Sequence, residues 1–306
     1  MNDSGNASLP IIAVIGPTAC GKTRRAVEIA KAIDGEIISG DSRQVYRDMA
    51  IGTGKDLEEY DGVPYHLIDI HPAGYKYNLH QYIADFHSAL EDIRHREKRP
   101  VLCGGTGLYI ETALSGVILP EVPENPTLRE SLKGKSLDEL TDILSKIKKL
   151  HNQTDVDTCQ RAIRAIEIAR FYEANPDIAQ KADRTIARPL DAIILGLDIS
   201  RELRRQRITQ RLHSRLEEGM VDEVKSLIDS GIQPQDLIYY GLEYKYVTMY
   251  VIGELSYEEM FRQLEIAIHQ FAKRQMTWFR GMEKRGFKIN WLPYDAPLSE
   301  FLSYIR

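Results

Sequence analysis

Residues 16–23 have the spacing of a phosphate-binding loop, with a glycine, four further residues and then Gly-Lys-Thr. The run is Gly16, Pro17, Thr18, Ala19, Cys20, Gly21, Lys22 and Thr23. Glycines at these positions let backbone N–H groups turn inward around phosphate oxygens. Lys22 would bring a positive charge to the terminal phosphates, and the Thr23 hydroxyl is placed to ligate Mg²⁺. The pattern therefore predicts that the protein binds a phosphorylated small molecule.

An acidic residue that usually accompanies this loop is missing from the sequence. P-loop NTPases commonly carry an aspartate at the end of a second apolar strand, where it helps to hold Mg²⁺. The best matching strand here ends in Leu102-Cys103-Gly104-Gly105. This favours a loop that holds a departing pyrophosphate over one that presents a γ-phosphate for transfer.

Asp41 follows a short apolar segment, as the phosphate-binding loop does. Ligands of parallel sheets bind at the carboxyl ends of the strands, so Asp41 should point into the same crevice as Lys22. A carboxylate there either shares the metal or accepts a proton from the second substrate, although an aspartate at this position can also simply form a turn. The turn Gly104-Gly105-Thr106-Gly107 could bring Thr106 to the same place.

The surrounding elements alternate between strands and helices. Short apolar runs predict strands, listed here as residues 11–15, 36–39, 63–68, 100–103 and 192–197. Apolar residues at helical spacing follow the phosphate-binding loop and recur over 83–93. We therefore predict an α/β fold of P-loop NTPase type, with a parallel sheet covered by helices on both faces.

The pattern changes after Gly116. Three prolines interrupt residues 120–126, and a capping box at Ser136 begins a helix with an apolar stripe. Another helix is predicted from about Asp155 to Ala174. We expect residues 117–189 to form a small helical insertion domain, and residues 1–116 and 190–306 to form the core. The core should end in a helical region, with helices predicted over 201–218, 220–229 and 256–285.

Composition narrows the class of protein. The chain has 306 residues and a net charge of −5, which argues against a non-specific nucleic-acid binder. Its three separate cysteines support neither a disulfide scaffold nor a zinc ribbon. We expect no zinc site at His66, Asp69 and His71, because such residues at a strand end are more often structural. No signal peptide or membrane span is evident, which predicts a cytoplasmic protein.

Several further blocks of sequence resemble the tRNA dimethylallyltransferases. They occur in that family's order and cover about residues 11–280. The blocks are residues 16–23, Asp41-Ser42-Arg43-Gln44-Val45-Tyr46, Ile51-Gly52-Thr53-Gly54-Lys55, Val63-Pro64-Tyr65-His66-Leu67-Ile68-Asp69, Gly104-Gly105-Thr106-Gly107-Leu108-Tyr109 and Ala272-Lys273-Arg274-Gln275-Met276-Thr277-Trp278-Phe279-Arg280.

This resemblance implies transfer of a dimethylallyl group from dimethylallyl diphosphate to N6 of adenosine 37 in tRNA, with Mg²⁺ as cofactor. Asp41 would accept the proton of the N6 amine, Thr106 would line the pocket, and Arg211 would bind the diphosphate. We expect a monomer whose partner is the anticodon stem-loop. The tRNA contacts implied by the resemblance are Asp41, Ser42, Arg43, Gln44, Gln160, Arg161, Ala162, Ile163, Arg164, Tyr240, Gly241, Leu242, Lys273, Arg274, Gln275, Met276, Thr277, Trp278, Phe279 and Arg280.

Other functions stay open at this point. An adenylate isopentenyltransferase would use the same donor on a free nucleotide, but it needs neither the insertion nor the block at 273–280. A small-molecule kinase would consume ATP, and a non-catalytic RNA-binding protein would have no use for an intact Lys22, Thr23 and Asp41. The insertion looks short, and His269-Gln270 replaces the family's usual Thr-Arg. These departures affect tRNA recognition more than chemistry.

Overall fold

A computed structural model describes residues 9–148, 156–182 and 187–305 of the chain. The chain divides into two compact units. Unit 1 contains Met1–Gly116 and Pro189–Arg306, and unit 2 contains Val117–Arg188. Within the described residues, no helix is both long and apolar enough to cross a membrane.

A six-stranded sheet forms the centre of unit 1. Its strands are β1 (Ile11–Ile15), β2 (Gly35–Ser39), β3 (Tyr65–His66), β4 (Arg99–Gly104), β5 (Ala192–Asp198) and β6 (Ile289–Pro293). Their order across the sheet is β3-β2-β4-β1-β5-β6, and every neighbouring pair is parallel. The predicted parallel sheet is confirmed. Strand β3 is shorter than the predicted 63–68, and β6 lies beyond the last predicted helix, where we predicted no strand.

Helices surround this sheet in unit 1. They are α1 (Lys22–Ile33), α2 (Leu79–His95), α3 (Gly107–Leu114), α8 (Arg201–Glu217), α9 (Met220–Asp229), α10 (Pro234–Tyr239), α11 (Leu242–Val251), α12 (Tyr257–Lys284) and α13 (Leu298–Ser303). The predicted helices at 201–218, 220–229 and 256–285 are confirmed to within a residue or two. Ser256 begins α12 with the reciprocal hydrogen bonds of a capping box.

Alternating side chains of the buried strands cover both faces of the sheet. Ile12 and Val14 of β1 lie in one apolar cluster with Ala26 of α1 and Phe301 of α13. Leu102 follows Val101 in β4 and therefore faces the other side. There it lies beside Gly40, together with Ile110 of α3. Every residue of β1 is fully buried, which explains why this strand is apolar throughout.

Unit 2 is helical, with its own apolar core. Its helices are α4 (Pro126–Leu132), α5 (Leu137–Ile147), α6 (Cys159–Ala174) and α7 (Pro176–Lys181). Leu140 and Leu144 of α5 are buried against Ala162 and Ile166 of α6. The capping box predicted at Ser136 is present, whereas the predicted start of α6 at Asp155 lies outside the described residues.

Candidate active site

A cavity of about 660 Å³ opens in unit 1 at the carboxyl ends of the strands. The phosphate-binding loop, Asp41 and Thr106 all contribute to its wall, since they follow β1, β2 and β4. Further lining residues come from the loop at 51–56 and from α8, α11 and α12. The expectation that Asp41 and Lys22 share one crevice is met by this geometry.

The phosphate-binding loop turns through left-handed backbone at two residues. Gly21 has φ 83° and Ala19 has φ 61°. A non-glycine residue in this region costs on the order of 1 kcal/mol and is typical of functional loops. Gly16 has no room for a side chain, because an added Cβ would lie 2.7 Å from the Cys20 sulfur. Lys22 folds back over the loop, and its Nζ donates to the carbonyl of Pro17 at 3.3 Å.

Thr18 connects the loop to two distant helices. Its backbone N–H donates to Oε1 of Gln275 in α12 at 2.8 Å. Its hydroxyl accepts a hydrogen bond from the guanidinium of Arg211 in α8. Burial lowers the pKa of Arg211, and the nearby Glu243 opposes this shift. Arg211 therefore brings a donor-rich cation directly to the phosphate-binding loop, where a diphosphate would lie.

Asp41 is held by a short turn. Its Oδ1 accepts a hydrogen bond from the backbone N–H of Arg43 at 2.8 Å, while its own N–H donates to the Ser39 hydroxyl. The next residue, Ser42, donates its N–H to the hydroxyl of Thr106 at 3.2 Å. Asp41 therefore forms a turn and also lines the cavity with a partly exposed side chain. Its part in proton transfer or metal binding stays a prediction.

The strand next to the loop ends without an acid. Cys103 occupies the penultimate position of β4, and burial raises the pKa of its thiol to about 12. Burial also raises the pKa of Cys20, although Lys22 opposes the shift. Both thiols are therefore neutral at physiological pH, and the structure gives them a packing role.

Thr23 is suited to a magnesium ion that also contacts substrate phosphates. It lines the cavity, and its hydroxyl forms no hydrogen bond within the described part of the chain. No group of three or more metal-binding side chains occurs among the described residues. Mg²⁺ is commonly held by one or two protein oxygens, with substrate phosphates and water completing its octahedron. The residues present fit such an ion.

The structure adds acidic residues that sequence analysis missed. Glu243, in the first turn of α11, and Glu59 both line the cavity. Burial raises the pKa of each, and for Glu243 its own backbone amide and Arg211 oppose the rise. Asp56 pairs with Arg215 at 2.6 Å. No motif identified these residues, because residues 56–59 and α11 are far apart in the sequence and meet at the cavity only in the tertiary structure.

Two side chains, Glu223 and Lys55, hold the loop at 50–55 in place through hydrogen bonds and an ion pair. Glu223 of α9 accepts the backbone N–H groups of Ala50 and Ile51, each at 2.8 Å, and of Gly52 at 3.1 Å. Buried Lys55 donates to the carbonyl of Tyr46 and pairs with Asp69. These contacts fix the conformation of the Gly-Thr-Gly-Lys block, in which Gly52, Thr53 and Gly54 line the cavity.

The histidines near β3 have structural partners. His66 bonds to Glu36 at 2.7 Å, and His71 stacks on Tyr75 with ring centroids 4.2 Å apart. Asp69 is occupied by Lys55. His66, Asp69 and His71 thus each contact a different partner side chain.

Several residues predicted to contact tRNA lie around the cavity. Those that line it are Asp41, Ser42, Arg43, Gln44, Tyr240, Gly241 and Leu242. In the 273–280 block of α12, the exposed residues are Lys273, Arg274, Thr277, Trp278 and Arg280, with Met276 partly exposed. Gln160, Arg161, Ile163 and Arg164 lie on α6 in unit 2, where Gln160 and Arg161 are exposed. Arg164 is committed to Glu167 and to the carbonyl of Val122.

Four of the predicted tRNA contacts have buried side chains. Ala162 lies in the core of unit 2 and Phe279 is fully buried in unit 1. The Tyr240 hydroxyl donates to the carbonyl of Tyr75 at 2.8 Å. Gln275 is 6% exposed and bonded to Thr18 and Gly105. The structure therefore places these four side chains in the interior, although Tyr240 still lines the cavity. Their contacts with tRNA stay predictions.

The fold and cavity define a P-loop α/β protein in which the phosphate-binding loop and Asp41 line one cavity. The profile of the IPP transferase family matches residues 44–282, and that of the isopentenyl transferases matches residues 9–62. The chain belongs to the IPP transferase family.

Individual relatives agree with this assignment. The chain is 59% identical to tRNA dimethylallyltransferase 2 of Porphyromonas gingivalis over 95% of this chain and 96% of the relative. A tRNA isopentenylpyrophosphate transferase structure from Bacillus halodurans has a TM-score of 0.70 and 33% identity, covering 97% of this chain and 94% of the other. A eukaryotic dimethylallyltransferase acting on tRNA has a TM-score of 0.79 at 23% identity, covering 96% and 76%, and shows the shared fold.

Proposed function

We propose that this protein prenylates tRNA by transferring the dimethylallyl group of dimethylallyl diphosphate to N6 of adenosine 37. The products are N6-dimethylallyladenosine and diphosphate. The observation that carries this proposal is the shared cavity, in which the phosphate-binding loop and Arg211 face the same space as Asp41. Family membership supports the reaction, since the curated relative named above is a tRNA dimethylallyltransferase.

The reaction needs charge stabilisation at the leaving group. As the bond between the allylic carbon and the diphosphate oxygen breaks, negative charge develops on the diphosphate. Amides of the phosphate-binding loop, Lys22 and Arg211 are placed to stabilise that charge. Mg²⁺ bound with help from Thr23 would supply further positive charge when present.

The acceptor nitrogen must lose a proton as its new bond to carbon forms. An exocyclic adenine amine is a weak nucleophile, so a nearby carboxylate that accepts this proton promotes attack. Asp41 is the acid that follows β2 into the cavity, and we assign it this role. The adenine of adenosine 37 must leave the base stack of the tRNA to reach a cavity of this kind.

Recognition of tRNA would use the exposed cationic residues. Lys273, Arg274 and Arg280 of α12 and Arg161 of α6 are exposed and can neutralise phosphates even on an acidic protein. We propose the anticodon stem-loop as the bound element and a monomer as the active form.

A labelling experiment tests the function. The protein is incubated with labelled dimethylallyl diphosphate, Mg²⁺ and either unmodified tRNA or AMP. We expect label on tRNA and none on AMP. Label on AMP alone would indicate an adenylate isopentenyltransferase, and turnover only with ATP would indicate a kinase.

The role of Asp41 is tested by Asp41→Asn. Asparagine keeps an oxygen for the Arg43 amide but cannot accept the N6 proton, so the transfer rate should fall about 10²- to 10⁴-fold. Donor binding should persist. Asp48→Asn, on the exposed loop outside the cavity, is the matched control and should react normally. Near-normal transfer by Asp41→Asn would remove Asp41 as the proton acceptor.

A further inference from the structure

We propose that Gln275 is a positioning residue that fixes the distance and orientation of the phosphate-binding loop relative to the segment carrying Asp41. This inference rests on the proposed function. It gives Gln275 a different role from the exposed residues beside it in α12. Lys273 and Arg274 are exposed, whereas Gln275 is 6% exposed.

Both ends of the Gln275 amide are engaged in buried hydrogen bonds. Oε1 accepts the N–H of Thr18 at 2.8 Å, and Nε2 donates to the carbonyl of Gly105 at 2.9 Å. Thr18 belongs to the loop after β1, and Gly105 belongs to the loop after β4. One side chain from α12 therefore joins two loops that the sheet brings together but does not itself connect.

The contact with Gly105 is tight. A Cβ added at Gly105 would lie 2.5 Å from Nε2 of Gln275 and 3.5 Å from the carbonyl oxygen of Gly16. Alanine at this position would push the amide away from the loop. The glycine in the Gly104-Gly105-Thr106-Gly107 turn is therefore explained by the close approach of Gln275.

The same turn continues to Asp41. The N–H of Thr106 donates to the carbonyl of Gly40 at 3.3 Å, and its hydroxyl accepts the N–H of Ser42 at 3.2 Å. Gly40 and Ser42 flank Asp41 on both sides. The hydrogen bonds of Gln275 and those of Thr106, joined by the Gly105–Thr106 peptide bond, thus connect the phosphate-binding loop to the backbone around Asp41.

In the proposed reaction, the dimethylallyl group would move from one end of this set of bonds towards the other. The donor's diphosphate would be fixed at the Thr18 end, and the acceptor nitrogen at the Asp41 end. A displacement of about 1 Å between the two can reduce a rate about 100-fold. Gln275 should therefore affect donor binding and the rate of transfer, and leave the affinity for tRNA unchanged.

The experiment compares two neighbours in the same block. Gln275→Met keeps the side-chain volume and removes both hydrogen bonds, and Arg274→Gln removes an exposed charge. The dissociation constants of inorganic pyrophosphate and of unmodified tRNA are measured for each, with kcat and KM for transfer. Circular dichroism establishes that each variant is folded.

We expect opposite effects. Gln275→Met should weaken pyrophosphate binding about tenfold and lower kcat, with tRNA affinity unchanged. Arg274→Gln should weaken tRNA binding and leave pyrophosphate binding unchanged. A Gln275→Met variant with weakened tRNA binding and normal pyrophosphate binding would overturn the proposal.

Two further variants keep the test decisive. If Gln275→Met does not fold, Gln275→Glu retains the acceptor for Thr18 and loses the donor to Gly105. This variant too should weaken pyrophosphate binding and leave tRNA affinity unchanged.

Gly105→Ala should have the same two effects. Combining it with Gln275→Met should add little, since both substitutions disrupt one contact. Independent, additive losses would contradict the shared role.

Failure of the proposed function would be seen separately. Pyrophosphate binding needs no transfer, so a wild-type protein that fails to prenylate tRNA would refute the function and still test Gln275. A wild-type protein that does not bind pyrophosphate would overturn both.

Discussion

Arg211 donates a hydrogen bond to the hydroxyl of Thr18, although 193 residues separate the two in the sequence. The bond attaches α8 to the phosphate-binding loop. It also aims a guanidinium at the place where a bound diphosphate would lie. Helix α8 therefore contacts a loop whose sequence motif includes no residue of that helix.

Replacing Arg211 by lysine should weaken donor use although the charge is kept. An ammonium cannot contact Thr18 and two phosphate oxygens with the planar fork of a guanidinium. We expect kcat/KM for dimethylallyl diphosphate to fall about 10- to 100-fold. Steady-state kinetics at saturating tRNA measure this. Arg262→Lys, on the exposed side of α12, is the control, and an equal loss there would contradict a specific role.

Thr23→Val should uncouple pyrophosphate binding from Mg²⁺. Valine has nearly the shape of threonine and removes the hydroxyl that we assign to the metal. Titration calorimetry with Mg²⁺ and with EDTA should show that the ion greatly increases the affinity of the wild type for pyrophosphate. This increase in affinity should be about tenfold smaller in the variant and should return in Thr23→Ser. An unchanged increase in Thr23→Val would exclude the hydroxyl as a ligand.

Glu223→Gln should loosen the cavity wall at residues 50–52. The carboxylate accepts three backbone N–H groups and the Tyr244 hydroxyl, and an amide cannot accept all of them. We expect a loss of about 1–3 kcal/mol in the free energy of unfolding. Hydrogen exchange should quicken at these amides. Asp222→Asn changes the exposed neighbouring acid, and comparable exchange in both variants would argue against this anchoring role.

Acid should destabilise unit 2 through Glu167. Burial acts to raise the pKa of this carboxyl, but hydrogen bonds from Arg129, the Asn125 amide and Arg164 outweigh it and lower the pKa to about 2, from 4.5. A lowered pKa in the folded state means that the stabilisation is complete above about pH 4.5 and is lost as the pH falls towards 2. The effect is on the order of 3 kcal/mol.

Hydrogen exchange in α6 across this pH range tests the role of Glu167. Glu167→Gln should reduce the acid dependence and destabilise unit 2 at neutral pH. Glu173→Gln, which alters an exposed pair with Arg170, should do neither. Acid dependence that survives unchanged in Glu167→Gln would assign the effect to other carboxyls.

Local patterns predicted much of the fold. The strand at Ile11–Ile15 is apolar because both faces of the sheet are covered, and such a run is recognisable in isolation. The capping boxes at Ser136 and Ser256 mark helix starts because the cap and its partner lie three residues apart. Strand β6 was missed because the polar Asn290 interrupts a five-residue strand at the sheet edge.

The sequence alone identified the phosphate-binding loop, Asp41, and the parallel sheet that brings them to one crevice. Each of these depends on short-range spacing or on the shared direction of parallel strands. Only the tertiary structure revealed the contacts of Thr18 with Arg211 and Gln275, the anchoring of residues 50–52 by Glu223, and the entry of Glu243 into the cavity. These contacts join distant segments, and their partners are selected by packing, which no local pattern encodes.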